Sequence, residues 1–198
     1  MFFIQIPGRW LASWQLRFVL ALLLTFFGPS VIIMHEVVFL FVLPMLVGML
    51  IAGWKQKGIA VSETEGLRAY FLTSVGVLHE QQQAFKNAWF ASPIQLQKRL
   101  LTLVGLKLAA HGGLLYGLYG QLHWADEWYA NLATLLIVLY MLYALLRTLS
   151  LLLLVCKAQY QVIEGHLEAQ TWFTFAHSVR QQPRTFFNLL FADLESAL

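Results

Sequence analysis

Residues 16–54 read LRFVLALLLTFFGPSVIIMHEVVFLFVLPMLVGMLIAGW, an almost unbroken apolar run. Past Arg17 its only ionisable side chains are the neighbours His35 and Glu36. The run is about twice the ~20 residues that one membrane-spanning helix needs. A soluble domain of this size does not carry such a stretch, so the sequence predicts a helical hairpin in a bilayer.

The whole chain agrees with that solvent. It has 198 residues, 59% hydrophobic and 12% charged, where soluble domains carry roughly 25% charge. Mean hydropathy is +0.65. The net charge of +3 is small and no polybasic run occurs, so no direct nucleic-acid partner is expected and the basic residues read as cytoplasmic loops. The single cysteine, Cys156, has no intramolecular disulfide partner and reads as a structural thiol at a helix end. Arg9 and Arg17 precede an apolar stretch as in a signal peptide. FFGPS offers no small-residue cleavage site, however, so an uncleaved first span is expected.

The fold expected is all-α: a polytopic membrane protein with four transmembrane helices and amphipathic cytoplasmic helices. Four segments divide it. Residues 1–54 form an N-terminal transmembrane hairpin and 55–99 a cytoplasmic amphipathic segment. Residues 100–156 form a second transmembrane hairpin and 157–198 a cytoplasmic amphipathic tail. The first two spans are placed at about Leu16–Met34 and Val37–Trp54, with their turn near His35–Glu36. The alternative turn is Gly28-Pro29-Ser30, the stronger local breaker, and Pro44 would kink the second span. The third span is placed at Leu100–Tyr119 and the fourth at Trp128–Cys156.

Lys55, Lys57, Arg68, Lys86, Lys98 and Arg99 lie between spans two and three, and Lys157, Arg180 and Arg184 lie in the tail. The short 120–127 loop has no Lys or Arg. The positive-inside rule then puts both termini and the 55–99 segment in the cytoplasm. A multi-pass protein of a cell inner membrane is expected.

Two cytoplasmic stretches read as amphipathic helices. In 62–90, Ser62 and Glu65 resemble a capping box, and Leu67, Phe71, Val75, Leu78, Phe85 and Trp89 recur at helical spacing. In the tail Val162, Ile163 and Leu167 are followed by Trp172, Phe173, Phe175, Ala176 and Val179, and a last helix spans Arg184–Leu194. Trp172, Phe175, Phe186, Phe187, Leu190 and Phe191 are the expected docking residues for a partner, against the plainer reading that they pack on this chain's own spans.

Ionisable groups inside a membrane call for a functional hypothesis. His35, Glu36, His111 and Arg147 are the intramembrane polar candidates. The stretch His123–Glu127 adds an imidazole, Asp126 and Glu127 on the outer face. Convergence with His35 and Glu36 would suit a zinc site or a proton relay; polar loop residues at an interface are the simpler account. Arg147 and Lys107 read as snorkelling side chains. His111 lies among Ala110, Gly113, Gly117 and Gly120, a small-residue face that lets another helix approach closely. A hydrogen bond across that contact is the structural reading of His111, and a haem ligand the functional one.

No phosphate loop, dinucleotide fingerprint, zincin helix or serine elbow occurs. The expectation is therefore a non-catalytic, cofactor-free integral subunit of a larger inner-membrane assembly, such as a secretion, conjugation or similar envelope machine. Its partners would be the lipid bilayer and other membrane subunits, with self-association possible. The alternatives are a small proton-coupled transporter using His35, Glu36 and His111, and a b-type membrane cytochrome.

Overall fold

The computed structural model describes residues 14–62, 88–122, 126–167, 170–179 and 182–191. The chain is mostly helical, and three helices are long and apolar enough to cross a membrane: α2 (Val31–Gln56), α3 (Pro93–Gln121) and α4 (Trp128–Cys156). They follow a shorter apolar helix, α1 (Trp14–Thr25). Its twelve described residues extend about 18 Å, short of the ~30 Å hydrocarbon core.

The first hairpin turns at Gly28-Pro29-Ser30. Thr25 returns its hydroxyl to Ala21 O at 2.7 Å, and Gly28 N–H bonds Leu24 O at 2.8 Å. A Cβ on Gly28 would stand 3.0 Å from Ile137 Cδ1, so α4 closes on the turn where only glycine fits easily. The expected turn at His35–Glu36 is corrected: both residues lie inside α2 and are buried. The apolar run continues straight through them, whereas Gly-Pro stops a helix.

Gln121, at the end of α3, caps the start of α2. Its Oε1 accepts the Val31 N–H at 3.1 Å and the Ser30 hydroxyl at 3.3 Å. From there Val31, His35, Phe39 and Leu43 are all buried. Steps of four drift about 40° each around a regular α-helix. A π turn over Val38–Val42 absorbs that drift, its bond running from Leu43 N–H to Val38 O. The next residue, Pro44, has no N–H and would press on the Leu40 carbonyl of an α-turn.

The chain forms two compact units. The first holds α1, the start of α2, and most of α3 and α4. Its apolar core joins Ala21, Val31, Ile32, Leu118, Ile137 and Met141. Leucines, phenylalanines and methionines on the other helix faces stay exposed, as lipid-facing side chains do.

The second unit corrects the helical expectation for the tail. Residues 157–191 supply β3 (Gln161–Leu167), β4 (Gln170–Val179), β5 (Gln182–Thr185) and the short helix α5 (Phe186–Leu190). The segment between α2 and α3 supplies β1 (Ala60–Ser62) and β2 (Ala88–Phe90). The antiparallel order is β1-β2-β4-β3, with β5 also on β4. Thr171–Phe175 consists wholly of β-branched and aromatic residues, which suit a pleated surface. Gly165 is required by close approach: a Cβ there would lie 2.7 Å from the Trp89 ring. Ser62 and Trp89 of the expected 62–90 helix lie in strands, and Leu67, Phe71, Val75, Leu78 and Phe85 fall outside the described residues.

Candidate functional site

The transmembrane unit buries a set of polar side chains around Glu36, which is only 2% exposed. Arg17 of α1 places Nη2 3.1 Å from Oε2, forming an ion pair. The Tyr140 hydroxyl of α4 donates to Oε1 at 2.7 Å. His35 Nδ1 reaches the same oxygen at 3.3 Å. A carboxylate only accepts, so His35 carries its proton on Nδ1. One charge thus holds three partners, the condition under which a buried ion is tolerated.

His111 of α3 stands beside this set. Its Nδ1 donates to the Lys107 carbonyl at 2.9 Å, one turn back on its own helix. The ring meets that of His35 edge-on, centroids 5.8 Å apart. Phe39 lies tilted against both, at 4.5 Å from His35 and 4.3 Å from His111. Lys107 is 4% exposed and holds Nζ 5.8 Å from the Phe39 centroid, so it does not snorkel to an interface. Phenyl packing occupies the space that a haem plane would need between the two imidazoles, and the pair does not fit bis-histidine ligation. His35 Nε2 is buried, with no hydrogen-bond partner among the described residues.

A cavity of about 230 Å³ adjoins the ion pair, walled by Leu20, Leu24, Ile32 and Leu136 as well as Arg17, Glu36 and Tyr140. Its surface is almost wholly apolar.

The structure therefore brings together three sequence candidates, His35, Glu36 and His111, and leaves the others apart. Arg147 is half-buried on α4. Asp126 and Glu127 are exposed before α4, while His123 lies outside the described residues. Among the described residues no three His, Cys, Asp or Glu side chains are placed to hold a metal. Gly117 faces α2, where a Cβ would meet Val31 Cγ2 at 3.7 Å, and Ala110 is half-buried. Gly113 and Gly120 are exposed, and among the described residues no other side chain or neighbouring element comes within 4 Å of an added Cβ.

Trp172, Phe175, Phe186, Phe187, Leu190 and Phe191 are buried within the chain. Phe175 and Phe186 meet edge-on at 5.6 Å, and Phe186 and Phe187 at 5.7 Å. Their apolarity closes the chain's own core and does not offer an exposed surface. The residues that sequence reasoning missed are Arg17 and Tyr140. Arg17 passes for the charge before a signal-like segment, although an acid at position 36 calls for a base on a neighbouring helix. Tyr140 sits in an apolar helix with nothing nearby in sequence to single it out.

No protein-family model matches the chain, and no curated protein or solved structure is significantly similar to it.

Proposed function

We propose that this chain is a non-catalytic integral subunit of a larger membrane assembly, joined to its partners inside the bilayer. The observation that supports this is the outer face of α3. Gly113 and Gly120 are exposed, and among the described residues nothing fills the space beside their backbone. Small residues at such a spacing permit close helix–helix contact where no hydrophobic drive between helices exists. Burial of the tail aromatics moves the expected docking surface from the cytoplasmic segments to this face. Gentle detergent extraction followed by mass spectrometry tests it. The wild-type chain should retain a stoichiometric set of membrane proteins, and Gly113→Leu with Gly120→Leu should lose them without losing insertion. Retention of every partner by the double variant would refute the reading.

A second reading, proton-coupled transport, is favoured by the convergence of His35, Glu36 and His111 in the interior. It requires that Glu36→Gln abolish a proton-linked flux in reconstituted vesicles while the protein still folds. An unchanged flux would remove it.

A further inference from the structure

We propose that the π turn Val38–Val42 is a two-register hinge, held in its present register by the ties on Glu36. Two independent features meet in α2. The first is the π turn itself, a form that is rare and often found where a helix has a job beyond support. The second is the anchoring of the segment just before it: Glu36 is bound from α1 by Arg17, from α4 by Tyr140, and from its own helix by His35.

Pro44 makes the two registers close competitors. In most helices a π turn gives way to an α turn because the α turn gains regular hydrogen bonds. Here the α register would face the Leu40 carbonyl with a proline ring and no N–H, so that advantage is missing. What selects the observed register is the position of the segment Val31–Val37. Conversion of the π turn to α would rotate this segment by about 100°, one residue of an α-helix. Glu36 would leave Arg17 and Tyr140, and the exposed Met34 would move around the helix.

The trigger is loss of the negative charge on Glu36. A proton taken from water onto Oε2 ends the ion pair, Arg17 stays charged, and no other bond changes. The groups that meet Glu36 are Arg17 on α1, His35 on α2 and Tyr140 on α4; on α3, His111 packs against His35 and Lys107 lies over Phe39. Arg17 keeps its charge in either state, so the neutral form of Glu36 loses the ion pair that ties the segment to α1. This hinge stands whether the chain assembles with partners or carries protons, because its readout is distance and not flux.

The test uses spin-label distances in the full chain, in nanodiscs, on a Cys156→Ser background. One pair joins Met34→Cys to Leu132→Cys, reporting the segment before the hinge. The other joins Met45→Cys to Leu142→Cys, reporting the helix after it. Glu36→Gln should shift the first distance by up to about 8 Å, the displacement of a 100° rotation at a radius of about 5 Å, and leave the second unchanged. Arg17→Gln should do the same without touching α2. Unchanged distances in both variants, or equal shifts in both pairs, would overturn the hinge. Should Glu36→Gln fail to fold, Arg17→Gln and Tyr140→Phe are read by the same criterion.

Discussion

The Tyr140 hydroxyl donates to Glu36 Oε1 across 2.7 Å, linking two helices that are 104 positions apart in the chain. It is the shortest of the three ties on that carboxylate, and the only one from α4. In lipid no water replaces it when it breaks. Tyr140→Phe keeps the ring and removes the bond. It should destabilise the transmembrane unit by about 1.5–3 kcal/mol, the range for a hydrogen bond to a charged group, as read by denaturant unfolding in mixed micelles.

Removing the charge itself should do more. Arg17→Ala leaves Glu36 buried without its cation, and breaking a buried pair from one side costs about 3–5 kcal/mol. The double variant Arg17→Ala with Glu36→Leu should recover much of that loss, because no uncompensated charge remains. A double-mutant cycle measures the difference, and full additivity would show that the two side chains do not interact.

In the strand unit, Gly165→Ala places a methyl group 2.7 Å from the Trp89 ring. The expected loss is about 1–3 kcal/mol, typical of overpacking. Trp89→Leu should relieve the clash in the Gly165→Ala background while harming the wild type. That reversal, followed by thermal unfolding, separates close approach from any intrinsic preference for glycine.

Both long helices that feed the sheet end on a left-handed residue. After α2 it is Gly58, at φ +66°, and after α4 it is Ala158, at φ 50°. Gln159 N–H bonds Leu154 O at 3.0 Å, and Ile59 N–H bonds Trp54 O at 2.9 Å, the same closing pattern. Alanine holds this conformation at a penalty of about 1–2 kcal/mol, so Ala158→Gly should stabilise the chain by about 0.5–1 kcal/mol after the greater freedom of unfolded glycine is counted. Unchanged or lower stability on chemical denaturation would contradict it.

Tyr160, which lies 4.8 Å from Phe175 between ring centroids, has its phenol pushed above the usual 10.0 by partial burial. The unfolded phenol ionises first as pH rises. Stability should therefore be intact below pH 10 and fall between that value and the higher folded one. Ultraviolet difference titration against Tyr160→Phe checks the shift, and a Tyr160 titration at the ordinary value would contradict it.

The membrane character and the two long helices α3 and α4 were legible because unbroken apolar runs have one meaning in a bilayer. The predicted fourth span, Trp128–Cys156, has the same ends as α4. Ser92 and Pro93 extend α3 beyond its predicted start: Ser92 Oγ accepts the Gln95 N–H at 3.2 Å, a capping pattern with proline in the first turn. The tail was misread because Val162, Ile163, Trp172 and Phe175 satisfy helical spacing and strand alternation about equally over short windows. The strands win by pairing with one another, β3 against β4 from Gln161–Ala176 to Leu167–Gln170, and the distant β2 joins them at Phe90 opposite Phe173. For the site, His35, Glu36 and His111 stood out as ionisable groups among apolar ones, while the hydroxyl and guanidinium that complete it depend on how helices meet.

The sheet is assembled from two stretches that synthesis separates. Strands β1 and β2 emerge before α3, and β4, which pairs with β2, emerges only after α4. Until the last helix is threaded, β2 has one finished edge and one open one, exposed to proteases and to neighbouring chains. Chains cut short at a stop codon just after α4 should therefore be degraded faster than the full chain although every long helix is in place, because β2 has lost its partner β4.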